Sequence, residues 1–228
     1  MRKKEENGAD YYSLLPRIHS FLKPAAYAEI GIRDGVSLRM ATTAKAVVGI
    51  DPAPQIEGRL AASTRIFTMT SDDFFASRSL TTELRGKPFD LAFIDGMHLF
   101  EFALRDFINL ERASAPRSTI LVHDCYPVDR TTAERERTTQ IWSGDVWKLI
   151  ICLKKYRPDL RISTVDVPPT GLGVIRGLDA NSEVLSSRLD DLCEEFIPCG
   201  YDLLESDKPA QLNRVANRWN EIKAILTD

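Results

Sequence analysis

Five short apolar runs alternate with stretches whose apolar residues fall at helical spacing, and that alternation limits the fold of this chain more than any other feature. The runs are Ala25–Gly31, Ala46–Asp51, Thr64–Thr70, Phe89–Asp95 and Ser118–Asp124. Val36–Ala44, Ser71–Ser79 and His98–Leu110 lie between them with helical spacing. Strands separated by helices of this length are joined by crossovers and form a parallel sheet with helices on both faces. Two further strands, Arg161–Val167 and Val174–Arg176, are linked by Pro168–Gly173, which is short enough to predict a terminal antiparallel pair. The expected fold is α/β: a doubly wound, mostly parallel sheet of seven strands.

A chain of 228 residues can build one large core around such a sheet, and no linker divides it, so a single domain over 1–228 is expected. Residues 1–24 read as an N-terminal helical extension, and Gly144–Tyr156, Ser182–Phe196 and Lys208–Leu226 as further helices. The polar stretch 125–143, with ERER at 134–137, reads as a lid or substrate loop. Thirty Lys and Arg against 33 Asp and Glu give a net charge of −3, which disfavours a nucleic-acid partner. The charged opening, MRKKEENGAD, has no apolar run fit for a leader or membrane span, and four cysteines without metal-binding spacing suit a reducing cytoplasm.

Glu29-x-Gly31-x-x-x-Gly35 lies where the first strand hands over to a helix. Glycines there permit a tight turn and a close backbone approach to a ligand, or simply an ordinary strand-to-helix turn. The spacing is not GxGxxG, which weakens a dinucleotide and leaves a nucleoside without pyrophosphate. Asp51 closes the second strand, where a carboxylate can accept both hydroxyls of a ribose. Ser71-Asp72-Asp73-Phe74 follows the third strand and can supply an amine-reading Asp and an aromatic wall.

Asp95 ends the fourth strand, His98 stands three residues on, and Asp124 ends the fifth, so the two carboxylates are expected to be neighbours at one sheet edge. Such a pair can hold a hard divalent cation or tune a histidine. His98 has the chemistry of a general base for a hydroxyl proton. His123 precedes Asp124 directly, and strand alternation points it to the opposite face. Trp147 falls on an apolar helical stripe and reads as core, whereas Trp142, beside the polar loop, is the better pocket wall.

AEIGIRDG at 28–35, VVGIDP at 47–52, DLAFIDGMHLFEFALRD at 90–106 and ILVHDCYP at 120–127 together resemble the class I S-adenosylmethionine-dependent methyltransferases. The likeness is to small-molecule O-methyltransferases of the macrolide-sugar type and to cephalosporin-hydroxylase-like proteins. It implies a Rossmann-like methyltransferase fold with S-adenosylmethionine as cofactor. Glu29 and Gly31 are then placed beside its methionine part, Gly35 at the helix start, Asp51 at the ribose and Asp72 with Asp73 near the adenine. Ser37 falls at the carboxylate end, or is a capping residue. In metal-dependent members the acid ending the fourth strand, the acid ending the fifth and the residue immediately after it hold a divalent ion; here these are Asp95, Asp124 and Cys125, and a thiol is a poor ligand for Mg²⁺.

The expected activity is methyl transfer to a hydroxyl of a small molecule, with Asp95 and His98 as catalytic residues and Asp95 with Asp124 as the metal position. A weak Mg²⁺ site, a softer metal and no metal all stay open. A hydroxylase-like or NAD-dependent enzyme, and a non-catalytic module binding a nucleoside or partner, are the rival readings. The apolar faces of the terminal helices suit either a homodimer or cover for the sheet.

Overall fold

The computed structural model describes residues 10–227; the charged opening stretch read above as carrying no leader lies, up to residue 9, outside them. Helix α1 (Tyr11–Leu22) starts at Asp10, whose carboxylate accepts the Ser13 N–H at 3.0 Å. The elements that follow are β1 (Ala26–Ile30), β2 (Ala46–Asp51), β3 (Thr64–Thr68), α2 (Ser71–Ser77), α3 (Leu80–Glu83), β4 (Leu91–Ile94), α4 (Phe100–Arg112) and β5 (Thr119–His123). The chain continues through α5 (Trp147–Tyr156), β6 (Arg161–Asp166), β7 (Leu172–Arg176), α6 (Leu189–Phe196), α7 (Asp202–Glu205), α8 (Lys208–Gln211), β8 (Arg214–Ala216) and α9 (Trp219–Thr227).

All eight strands form one sheet in the order β3-β2-β1-β4-β5-β7-β6-β8. The first five strands are parallel, and β7 runs antiparallel between β5 and β6, as the short Pro168–Gly173 link predicts. The eighth strand corrects the expected seven. Residues 208–226 are not one helix: Asn213 takes φ 48° after α8, and Arg214–Ala216 pairs parallel with β6 before α9 begins. Val36–Ala44 is likewise not an α-helix. Only Leu38–Met40 form a 3-10 turn, and Leu38, Ala41 and Ala44 are buried from an irregular backbone. In the 182–196 stretch a 3-10 turn at Ser186–Arg188 precedes α6.

Alternating strand residues feed two cores. Val48, Ile94, Phe107, Val122 and Leu149 lie on one face of the sheet, while Tyr27, Phe93, Leu121 and Val174 meet Leu14, Leu15 and Ile18 of α1 on the other. Helix α4 has no side-chain cap of its own at Leu99. Asp145 caps it from afar, one carboxylate oxygen accepting the Phe100 N–H at 2.7 Å. The other oxygen accepts the fully buried Lys148 ammonium at 2.8 Å and Arg135 at 2.6 Å, and Arg135 also binds Glu101 at 2.6 Å. The 125–143 stretch, which has only a 3-10 turn at Thr131–Ala133, is therefore fixed to α4 by charge. No helix among the described residues is long and apolar enough to cross a membrane.

Candidate active site

The strand order turns back at β1, which lies between β2 and β4, and a parallel sheet binds ligands outside its carboxyl ends at such a point. A cavity of about 920 Å³ opens there. Gly31, Asp51, Ser71, Asp72 and Asp106 line one end, and Asp95, His98, His123, Asp124, Trp142 and Thr170 the other.

Gly31 takes φ 84°, and a Cβ on it would stand 2.1 Å from the carbonyl oxygen of Asp95. Only glycine lets β1 and β4 end this close together. Asp51 folds the loop beyond: one oxygen accepts the N–H groups of Ile32 and Arg33 at 2.8 Å each, and the other accepts Ala53 N–H at 2.7 Å. The first oxygen has both lone pairs engaged, while the one that accepts Ala53 keeps a second, so the carboxylate can still accept one hydrogen bond from a ligand.

The remaining residues predicted for this end divide. Glu29 is fully buried below the cavity, where its oxygens accept Ser37 Oγ at 2.5 Å and Tyr27 Oη at 2.7 Å. Burial pushes its carboxyl up to about 8 against those hydrogen bonds. Ser37 lines the cavity, while Gly35 and Asp73 do not. Asp73 accepts from Thr70 Oγ1 and belongs to the cap of α2, and Phe74, expected as an aromatic wall, is core. Asp72 lines the cavity but is held bidentately by Arg105, at 2.9 and 2.8 Å.

At the other end, His98 Nδ1 lies 3.0 Å from the carbonyl oxygen of Trp142 and 3.2 Å from Asp124 Oδ2. A carbonyl only accepts, so Nδ1 carries the proton and Nε2 keeps a free lone pair. The Trp142 ring lies flat on His98, centroids 5.0 Å apart and planes 10° from parallel. Gly144 allows this: a Cβ on it would stand 1.8 Å from the His98 carbonyl oxygen. Trp147, by contrast, is buried in the core as its stripe predicts.

His123 does not point away from Asp124. Its Nδ1 is 3.1 Å from Asp95 Oδ1 and 3.2 Å from Asp124 Oδ2. The alternation rule fails because β5 ends at His123 and Asp124 takes φ 66°, a left-handed turn that swings its carboxylate to the same side. Burial lowers the affinity of His123 for a proton, but Asp95 and then Asp124 outweigh it and raise the imidazole to about 10. Asp95 is in turn held below the ordinary carboxylate range, burial being outweighed chiefly by His123.

Sequence reasoning misses three groups here. Tyr11, the first residue of α1, stacks on His123 with centroids 3.9 Å apart and its hydroxyl 3.5 Å from Asp95 Oδ2. Thr170, in the Pro168–Gly173 turn, donates to Asp124 Oδ1 at 2.5 Å. Asp106 is buried within α4. Of the three only Asp106 carries a sequence signal, a carboxylate on the apolar stripe of Ala103, Phe107 and Leu110.

Ligand atoms of Asp95, His98 and Asp124 lie within 4.8 Å of one another. Cys125 is not among them: its thiol is fully buried and donates to the Val122 carbonyl at 3.4 Å. The oxygen-rich set that suits Mg²⁺ is thus incomplete, and the two carboxylates and one imidazole present suit a borderline ion better.

Residues 28–125 match a family model described as a methyltransferase domain. No curated protein sequence matches the chain. Among solved structures, the fold is similar to cofactor-bound Rv0187 from MTB, at 16% identity and a TM-score of 0.58 over 76% of this chain and 82% of that one. It is also similar to an O-methyltransferase from Bacillus cereus in complex with SAH, at 12% identity and TM-score 0.54 over 75% and 82%. A third is the O-methyltransferase TomG from Streptomyces achromogenes, involved in tomaymycin synthesis and in complex with SAM, at 15% and 0.55 over 78% and 83%. The stretch 28–125 is thus similar to a methyltransferase domain, and the chain shares its fold with these structures.

Proposed function

We propose that the chain transfers a methyl group from S-adenosylmethionine to a hydroxyl of a small molecule, with His98 as general base. The observation that carries this is the pinning of His98 Nδ1 by the Trp142 carbonyl and Asp124, which leaves Nε2 as the proton acceptor in a cavity that also reaches Gly31 and Asp51.

S-adenosylmethionine, when bound, supplies a methyl carbon on a positive sulfur and departs as S-adenosylhomocysteine. Gly31 allows the close approach of backbone to its methionine part, Ser37 borders that part, and the free lone pair of Asp51 accepts a ribose hydroxyl. The acceptor hydroxyl would hydrogen-bond to His98 Nε2 and give up its proton there, which would leave its oxygen able to take the methyl group as the sulfur nucleoside departs. The imidazolium so formed lies between Asp124 at Nδ1 and Asp95 Oδ1, 3.8 Å from Nε2. Tyr11, Tyr12 and Trp142 wall the acceptor end and exclude water. A divalent ion, if held, would sit on Asp95, His98 and Asp124 and acidify the hydroxyl, but no step needs it.

The test incubates the chain with S-adenosylmethionine and a panel of small hydroxylated molecules, reading S-adenosylhomocysteine release and a product heavier by one methylene. His98→Ala is expected to lower turnover by about a hundredfold or more while acceptor binding is unchanged. Full turnover by that variant overturns the assigned base, and absence of binding to either sulfur nucleoside overturns the cofactor.

A further inference from the structure

Asp106 is a carboxylate that neither the fold nor the proposed chemistry at His98 uses. It sits in the seventh position of α4, only 3% exposed, yet it lines the cavity at the end away from His98. Its Oδ2 lies 3.8 Å from the point where a Cβ on Gly96 would be, so it reaches under the turn that follows β4. Its hydrogen-bond partner is the Ser71 side chain. No ion pair among the described residues involves it, because Arg105 next to it is taken by Asp72.

A buried carboxyl without a cation is costly unless a ligand or a proton completes it. Burial raises Asp106 to about 7, with Ser71 opposing, so at neutral pH a large share is protonated. A neutral carboxyl offers one O–H donor beside one C=O acceptor. Adenine presents the complement on its amino-bearing edge, a ring nitrogen that accepts beside an amine that donates. Phe102, one helical turn before Asp106 in α4, lines the same cavity and offers an aromatic ring for a flat base, and Asp51, at the end of β2, lines it too. Asp72, the residue expected to read the base, is turned onto Arg105 through both oxygens, and in that ion pair it offers acceptors only, with no donor for the ring nitrogen.

We propose that Asp106, and not Asp72, reads the amino-bearing edge of the adenine and makes the cofactor site selective for adenine over a 6-oxopurine. This rests on the methyl-donor reading above and names the residue that sets its base specificity.

The test is calorimetry of the full chain with S-adenosylhomocysteine and with S-inosylhomocysteine, whose base replaces the amine by a carbonyl. The wild-type chain is expected to prefer the adenosyl compound by at least about tenfold, as a site built around a hydrogen-bonded amine does. Asp106→Ala is expected to lose about tenfold in affinity for the adenosyl compound and to bind both analogues alike. Asp106→Asn presents the same donor and acceptor pair and retains the preference, and Asp72→Asn, which can still accept from Arg105, retains it too. Thermal melts confirm that each variant is folded, and the Asn variant keeps the test decisive where the Ala variant does not fold. Unchanged discrimination in Asp106→Ala, equal loss of affinity for both analogues, or loss of the preference in Asp72→Asn overturns the assignment to Asp106 alone. Failure of the wild-type chain to bind S-adenosylhomocysteine overturns the methyl-donor reading and this inference with it.

Discussion

His123 and Asp124 are consecutive in the chain, yet their side chains converge, Nδ1 of the histidine lying 3.2 Å from Oδ2 of the aspartate. The left-handed backbone of Asp124, φ 66°, produces this convergence and lets one carboxylate touch His98, His123 and Thr170 together. Asn tolerates that backbone, and a residue such as Val does not. Asp124→Asn is therefore expected to fold with near wild-type melting but to lose about a hundredfold or more in kcat, because an amide no longer stabilises the imidazolium of His98. Melting and steady-state kinetics on the same preparation check it; a wild-type kcat would remove Asp124 from the site.

Tyr11 contributes through its ring more than through its hydroxyl. The contact to Asp95 is 3.5 Å, at the limit of a hydrogen bond, whereas the ring stacks closely on His123. Tyr11→Phe is expected to keep kcat within about threefold, and Tyr11→Ala to lose roughly 3 kcal/mol of stability, the typical result of emptying an aromatic site. Equal effects of the two substitutions in denaturant titrations and turnover assays would reverse that ranking.

Chelation separates the two roles open to His98. With its Nδ1 held by the Trp142 carbonyl and the Cys125 thiol turned into the core, turnover in EDTA is expected to stay within about twofold of the untreated chain. A large loss that is restored by Mn²⁺ or Zn²⁺ would make His98 a metal ligand. Cys125→Asp tests the same geometry from the other side: it is expected to lower stability by several kcal/mol, roughly the penalty of a buried unpaired acid, without creating a Mg²⁺ requirement.

Stability is expected to fall as pH rises from about 4 to 8. Asp106, at about 7, and Glu29, at about 8, both bind protons more tightly in the folded chain than in an unfolded one. The folded state therefore holds more protons across that window, and the stability present below the unfolded carboxyl range is lost as pH climbs through the folded values. His123, raised to about 10, continues the fall above pH 6.5. Asp106→Asn should flatten the lower part of the slope, by an amount on the order of 4 kcal/mol between pH 4 and 7. Melts at pH 5 and pH 8 for both proteins check it, and parallel slopes would show that Asp106 does not titrate there.

The sheet is legible in the sequence because each strand is a closed apolar run between helical stretches, a pattern set by burial within a few residues. Asp51, Asp95, His98 and Asp124 are legible for the same reason, standing at strand ends or one turn beyond. What escapes is whatever depends on a single backbone angle or on a distant segment. The φ of Asp124 reverses the side on which His123 lies, and the Trp142 carbonyl reaches His98 across 44 residues of chain. Asp72 looks free until Arg105 is seen beside it. Arg214–Ala216 is too short to register as a strand until β6 offers it an edge.

The contact of Gly31 with the Asp95 carbonyl leaves the two halves of the cavity no slack. One lies over the end of β1 and the other over the end of β4, and the two strand ends meet at a point where not even a methyl group fits. The separation of Gly31 from Asp95 is accordingly a property of two adjacent backbones in one sheet. On the methyl-transfer reading proposed above, cavity-lining residues such as Arg137 and Ile141 are free to change with the acceptor while these two strand ends keep their separation.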